Sequence, residues 1–91
     1  MHEPGIVACV REEARLVESL AKAHFAFSTA LHAHADAMAS LGTEHPAGRE
    51  TALELHRLSA SIAELQAARA ISRAQLARAI HAAAREREDR R

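Results

Sequence analysis

An apolar stripe runs through the first half of the chain in steps that alternate between four and three residues. The stripe consists of Ile6, Val10, Glu13, Val17, Leu20, His24, Phe27, Leu31, His34, Met38 and Leu41. Residues that recur every 3.5 positions on average stay on one face of a slightly underwound helix. The pattern therefore predicts one long helix that packs against another helix along this stripe, in the manner of a coiled coil.

Proline and glycine divide the chain into two such helices. Pro4 fits the first turn of a helix, where no N–H is needed, and Gly42 fits a left-handed C-terminal cap. Residues 49–87 contain neither proline nor glycine, although Ser72 and Gln75 match a capping box and leave open a break there. We expect one helical-hairpin domain over residues 1–91, with helices at 4–41 and 47–88, a turn at 42–46 and a charged tail to 91.

The predicted fold class is all-α: an antiparallel two-helix hairpin. A short connection makes neighbouring helices fold back on each other, and the charges agree with this. Residues 1–45 hold three basic and six acidic side chains, whereas residues 46–91 hold nine basic and six acidic ones. With the turn near residue 45, facing residues have numbers that add up to about 90, which places Glu13 opposite Arg78 and His34 opposite His56.

A stripe of small residues on the second helix predicts a further helix–helix contact. It contains Ala60, Ala63, Ala67, Ala70, Ala74 and Ala77. Small side chains at this spacing let helices approach closely, and a helix with two such faces usually has two neighbours. Because 91 residues, about a quarter of them alanine, supply only a thin core, we expect a homodimer that forms a four-helix bundle.

Composition and charge argue against several function classes. The net charge is zero and the aromatic content is 2%, so the attraction and base stacking typical of nucleic-acid binders are weak. A nucleic-acid-associated helical dimer stays as an alternative because of the arginines of the second helix. No apolar run reaches the ~20 residues that span a bilayer, and the opening residues lack a signal-peptide pattern, so we expect a cytoplasmic protein without a membrane partner.

The seven histidines are the only candidate chemistry. His32, His34, Asp36 and His56 could converge between the helices, and imidazole with carboxylate suits a transition metal. A metal or small-ligand site lined by histidines is therefore an alternative function. No histidine, however, has the glutamate three residues earlier that helical di-iron sites use, and we expect no cofactor.

The main functional hypothesis is a non-catalytic protein-interaction module that works by helix packing, as an adaptor, assembly subunit or small chaperone. Catalysis is not expected, because the serines lie in helical pattern and the three glycines are isolated. The predicted interface consists of the alanine stripe with Phe25 and Ile71, two bulky residues outside the hairpin seam. Its expected partners are a second copy and a further protein.

Overall fold

The computed structural model describes residues 5–42 and 44–90, and these form two long helices in antiparallel order. Helix α1 spans Ile6–Leu41 and helix α2 spans Pro46–Asp89. The described part of the chain contains no strand. The prediction of an all-α, two-helix hairpin is confirmed. The predicted start of the first helix at Pro4 lies outside the described residues.

Gly42 ends α1, as its place after the last periodic residue predicted. Its φ of 82° and ψ of 169° are open to glycine and strongly disfavoured for other residues. The cap is therefore not the expected left-handed helical one, although φ is positive. The Gly42 N–H still donates to the carbonyl of Met38 and satisfies the end of the helix.

Helix α2 begins one residue earlier than predicted, at Pro46, which occupies the first turn. His45 caps this end, because its Nδ1 accepts a hydrogen bond from the Ala47 N–H at 3.1 Å. The helix continues to Asp89 without interruption, so Ser72 does not mark a break. The molecule is a rod with extents of 71 × 19 × 13 Å.

The helices meet along a seam in which buried and half-buried residues alternate in steps of three and four. On α1 these residues are Cys9, Glu13, Leu16, Leu20, Ala23, Phe27, Ala30, His34 and Ala37. On α2 they are Gly48, Thr51, Leu55, Leu58, Ile62, Leu65, Arg69, Ser72, Leu76, Ala79 and Ala83. Five residues of the predicted α1 seam are buried or half-buried: Glu13, Leu20, Phe27, His34 and Met38.

The other half of the predicted α1 seam is displaced by one residue. Val10, Val17 and Leu31 are 49%, 43% and 45% exposed, and the residues just before them take their places. Adjacent helical positions point about 100° apart, so one neighbouring helix cannot enclose both of them equally. The observed choice puts small residues such as Ala23 and Ala30 in the seam, which lets the two helices approach closely.

The predicted pairing between the helices is also corrected. Glu13 contacts Arg69, not Arg78, and His34 contacts Thr51, not His56. The true pairing is thus shifted by several residues along α2. The turn alone does not determine which residues of the two helices face each other. Near the far end of α2, Ala79 is buried whereas its larger neighbour Ile80 is 52% exposed.

The core is thin. Among the described residues, only Cys9, Leu16, Leu20, Ile62 and Ala79 are buried apolar residues, and Leu16 is the most enclosed at 2% exposure. No helix in the described part of the chain is both long and apolar enough to cross a membrane. Most apolar side chains of the hairpin remain in contact with solvent.

Candidate functional site

A charged pair lies inside the seam, in its half distant from the turn. Nε of Arg69 donates a hydrogen bond to Oε1 of Glu13 at 2.7 Å. The two side chains are 36% and 18% exposed, so the pair is partly shielded from water. The other carboxylate oxygen and the Ser72 hydroxyl are both buried, and neither makes a hydrogen bond of ordinary geometry within the described residues. Glu13, Arg69 and Ser72 thus form a polar layer in the seam. This layer separates the apolar contacts of Leu16 and Leu20 from the contacts nearer the end of the hairpin that is distant from the turn.

The environment of Glu13 favours its charged form. The hydrogen bond from Arg69 lowers the pKa of this carboxyl below its usual value of 4.5, although desolvation opposes the shift. The nearby Ser72 hydroxyl and the positive charges of Arg69 and Arg73 lower the pKa further. The layer therefore acts as an ion pair at neutral pH.

We expect this ion pair to make stability depend on acid. Because the Glu13 pKa is lower in the folded chain, the unfolded chain binds more protons near pH 4, and stability rises with pH there. The contribution is complete above the unfolded value of ~4.3 and is lost as pH falls through the folded value. Urea unfolding should give the unmodified chain a higher midpoint than Glu13→Gln at pH 7, with the difference shrinking as pH falls below 4.5. A difference that stays the same from pH 7 into this acidic range would contradict the prediction.

A second polar contact joins the helices near the turn. The Thr51 hydroxyl donates to the backbone carbonyls of Ala47 and Gly48, each at 3.0 Å. Its oxygen is thus left to accept from Nδ1 of His34, which lies 2.7 Å away. This arrangement assigns the proton of the imidazole to Nδ1 and fixes the orientation of the ring.

The other residues considered for a metal site do not converge. Nδ1 of His32 donates to the carbonyl of Ser28 on its own helix at 2.8 Å, and His56 and Asp36 are exposed. Within residues 5–42 and 44–90 no group of three or more potential protein ligands is close enough to hold a metal ion. Of the described histidines, His45 caps α2 and His34 makes a hydrogen bond between the helices.

The two sides of the hairpin differ in charge. One side is called here the charged side. It holds Glu12, which comes directly before Glu13, Glu54, which comes directly before Leu55, and the residues next to them. The ion pairs Arg15–Glu12 and Arg57–Glu54 lie there. Such exposed pairs contribute little stability and keep this side well solvated.

The other side, called here the apolar side, holds the residues that follow every second seam position, from Cys9 to Ala37 of α1 and from Thr51 to Ala79 of α2. On α1 these are Val10, Val17, His24, Leu31 and Met38, and on α2 they are Ala52, Ser59, Gln66, Arg73 and Ile80. None of these residues is acidic, and Arg73 is the only charged one. Sequence reasoning missed this side because it assigned the valines and Leu31 to the seam.

A groove of about 420 Å³ lies between the helices on the apolar side. Val17, Leu20, Ala21 and His24 line it from α1, and Gln66, Arg69, Ala70 and Arg73 line it from α2. Its surface thus combines apolar side chains with an imidazole, an amide and two guanidinium groups. The arginines of α2 do not form one basic stripe, since Arg69 lies in the seam and Arg57 is paired on the charged side.

The residues predicted as a protein interface are all exposed. All six alanines of the stripe from Ala60 to Ala77 are exposed on α2, and Phe25 and Ile71 are 76% and 62% exposed. The hairpin therefore leaves these side chains available for contact with another molecule. Comparison with models of known families, with curated proteins and with solved structures found no match for this chain.

Proposed function

We propose that this chain is a non-catalytic protein-interaction module that works by helix packing, as an adaptor, assembly subunit or small chaperone does. The observation that carries the proposal is the apolar side of the hairpin. Val10, Val17 and Leu31 recur there at heptad-related positions and remain about half exposed. Side chains of this size at this spacing are typical of helix-in-groove recognition.

The surface area of the chain supports the same proposal. A folded monomer of 9.9 kDa is expected to expose about 5,200 Å². This chain exposes 7064 Å². The excess is larger than the ~800 Å² that each partner buries in an interface of standard size. Association with another helical surface would remove much of this excess.

Self-association through the alanine stripe is the first interaction we propose. The stripe is symmetric in sequence, so two antiparallel α2 helices would pair Ala60 with Ala77 of the partner and Ala67 with Ala70 of the partner. Further out, Arg49 would lie opposite Glu88 of the partner, which adds complementary charge. The result would be a four-helix bundle with the two α2 helices at its centre.

Ala67→Glu is expected to dissociate this dimer. A carboxylate at the centre of a close-packed helical interface loses its hydration without gaining a partner. Analytical ultracentrifugation should show a dimer for the unmodified chain and a monomer for the variant, while Ala33→Glu, on the charged side, should remain dimeric. A monomeric mass for the unmodified chain at all concentrations would overturn self-association.

The antiparallel register can be tested separately by disulfide formation. In a Cys9→Ser background, Ala60→Cys together with Ala77→Cys should give covalent dimers on mild oxidation, because each cysteine would face the other kind across the interface. Within one chain the two positions are 17 residues apart along a rigid helix and cannot bond. Efficient cross-linking of Ala60→Cys alone would instead indicate a parallel arrangement.

A further inference from the structure

We infer that the groove on the apolar side is a docking site for an amphipathic helix of another protein that carries an acidic side chain within its apolar stripe. The inference deepens the proposed function, on which it rests, by giving the chemistry of the partner. The groove borders the alanine stripe at Ala70, whereas Ala67, at the centre of the stripe, does not line it.

The shape of the groove suits a third helix. Val10, Val17 and Leu31 form the α1 part of the apolar side. They are seven and fourteen residues apart, so they face the same direction along α1. The groove itself runs between α1 and α2 past Val17 and Ala70. Small residues such as Ala21 and Ala70 on its walls allow a third backbone to approach closely. A helix lying along it would cover the large side chains that the hairpin leaves exposed.

The charges of the groove select the partner. Arg69 is already paired with Glu13, whereas Arg73 makes no ion pair within the described residues, although its charge also acts on Glu13. No acidic residue occupies the apolar side, so a second copy docking by this same side would bring Arg73 against a surface without a counter-charge. A helix with glutamate or aspartate at the matching position would supply it, and burial would strengthen the pair.

The test uses two synthetic helical peptides with the same leucine and alanine stripe, one with a central glutamate and the other with lysine at that position. Fluorescence anisotropy with the full chain should show tighter binding of the glutamate peptide. Arg73→Gln should weaken that binding about tenfold, the loss of one charge-assisted contact, and Arg73→Glu should reverse the preference towards the lysine peptide. The matched control Arg57→Gln, on the charged side, should leave binding unchanged.

In the peptide experiment, three outcomes would overturn the inference: no binding of either peptide, equal binding of both by the unmodified chain, or a preference that Arg73→Glu does not reverse. Val17→Asp gives a second readout. It should weaken the binding of both peptides, because it removes an apolar contact in the groove. If Arg73→Gln and Val17→Asp instead dissociate the dimer, a second copy occupies the groove and the inference is wrong. If Ala67→Glu gives a monomer that binds the peptides normally, the two surfaces are independent and the inference stands.

Discussion

Replacing Leu16 by alanine is expected to remove about 3 kcal/mol from the free energy of unfolding. Leu16 is 2% exposed and is the most enclosed large side chain of the hairpin. Truncation of a buried leucine loses its transfer free energy and leaves a cavity, which together cost about 2.7–5 kcal/mol. At ~0.1 kcal/mol per residue, this is about a third of the stability expected for a chain of this length. Urea unfolding followed by circular dichroism at fixed protein concentration measures it.

The neighbouring substitution Val17→Ala is the matched control. Val17 is 43% exposed, so its truncation should cost less than about 1 kcal/mol. The comparison decides between the seam of the structure and the seam that the apolar stripe of the sequence predicts. A larger loss for Val17→Ala than for Leu16→Ala would mean that α1 is rotated by about one residue from its position in the structure.

Arg69→Leu is expected to lower the urea midpoint clearly, even though it introduces an apolar side chain into the seam. The substitution removes the hydrogen bond that Glu13 receives at 2.7 Å and leaves a partly buried carboxylate without its main counter-charge. Breaking one half of a shielded ion pair generally costs more than the pair itself contributes. The change should become smaller as pH falls through the lowered pKa of Glu13 and its carboxylate is protonated.

The double variant Glu13→Leu with Arg69→Leu separates this effect from simple packing. Replacement of both charged partners by leucine should restore the midpoint to that of the unmodified chain or above it, because no unpaired charge remains. If Arg69→Leu alone is as stable as the unmodified chain, the pair is effectively solvated and the polar layer is irrelevant to stability. If the double variant is less stable than Arg69→Leu, the layer stabilises the fold by more than charge pairing.

The sequence predicts the helices well because their ends carry local signals. Gly42 and Pro46 act within a few residues of their own positions, and helix propensity together with periodicity covers the residues between them. No information about the partner helix is needed for this step. The all-α hairpin follows directly from it.

The rotation of α1 and the pairing with α2 could not be obtained in the same way. Cys9 and Val10 both belong to stripes with heptad spacing, and hydrophobicity favours the larger valine. The choice depends on how closely the helices approach and on the single contact between Glu13 and Arg69, which are 56 residues apart in sequence. The groove beside Arg73 was missed for the same reason, since it exists only in the true pairing.

The uneven distribution of the core has a consequence for how the hairpin opens. The contact between His34 and Thr51 spans 17 residues and that between Glu13 and Arg69 spans 56, so closing the second loop costs about 1 kcal/mol more in chain entropy. The buried apolar side chains of α1, such as Leu16, nevertheless lie towards the end distant from the turn. The half beside the turn closes easily but holds few buried side chains, and its amide hydrogens should exchange through local opening while the distant half stays folded.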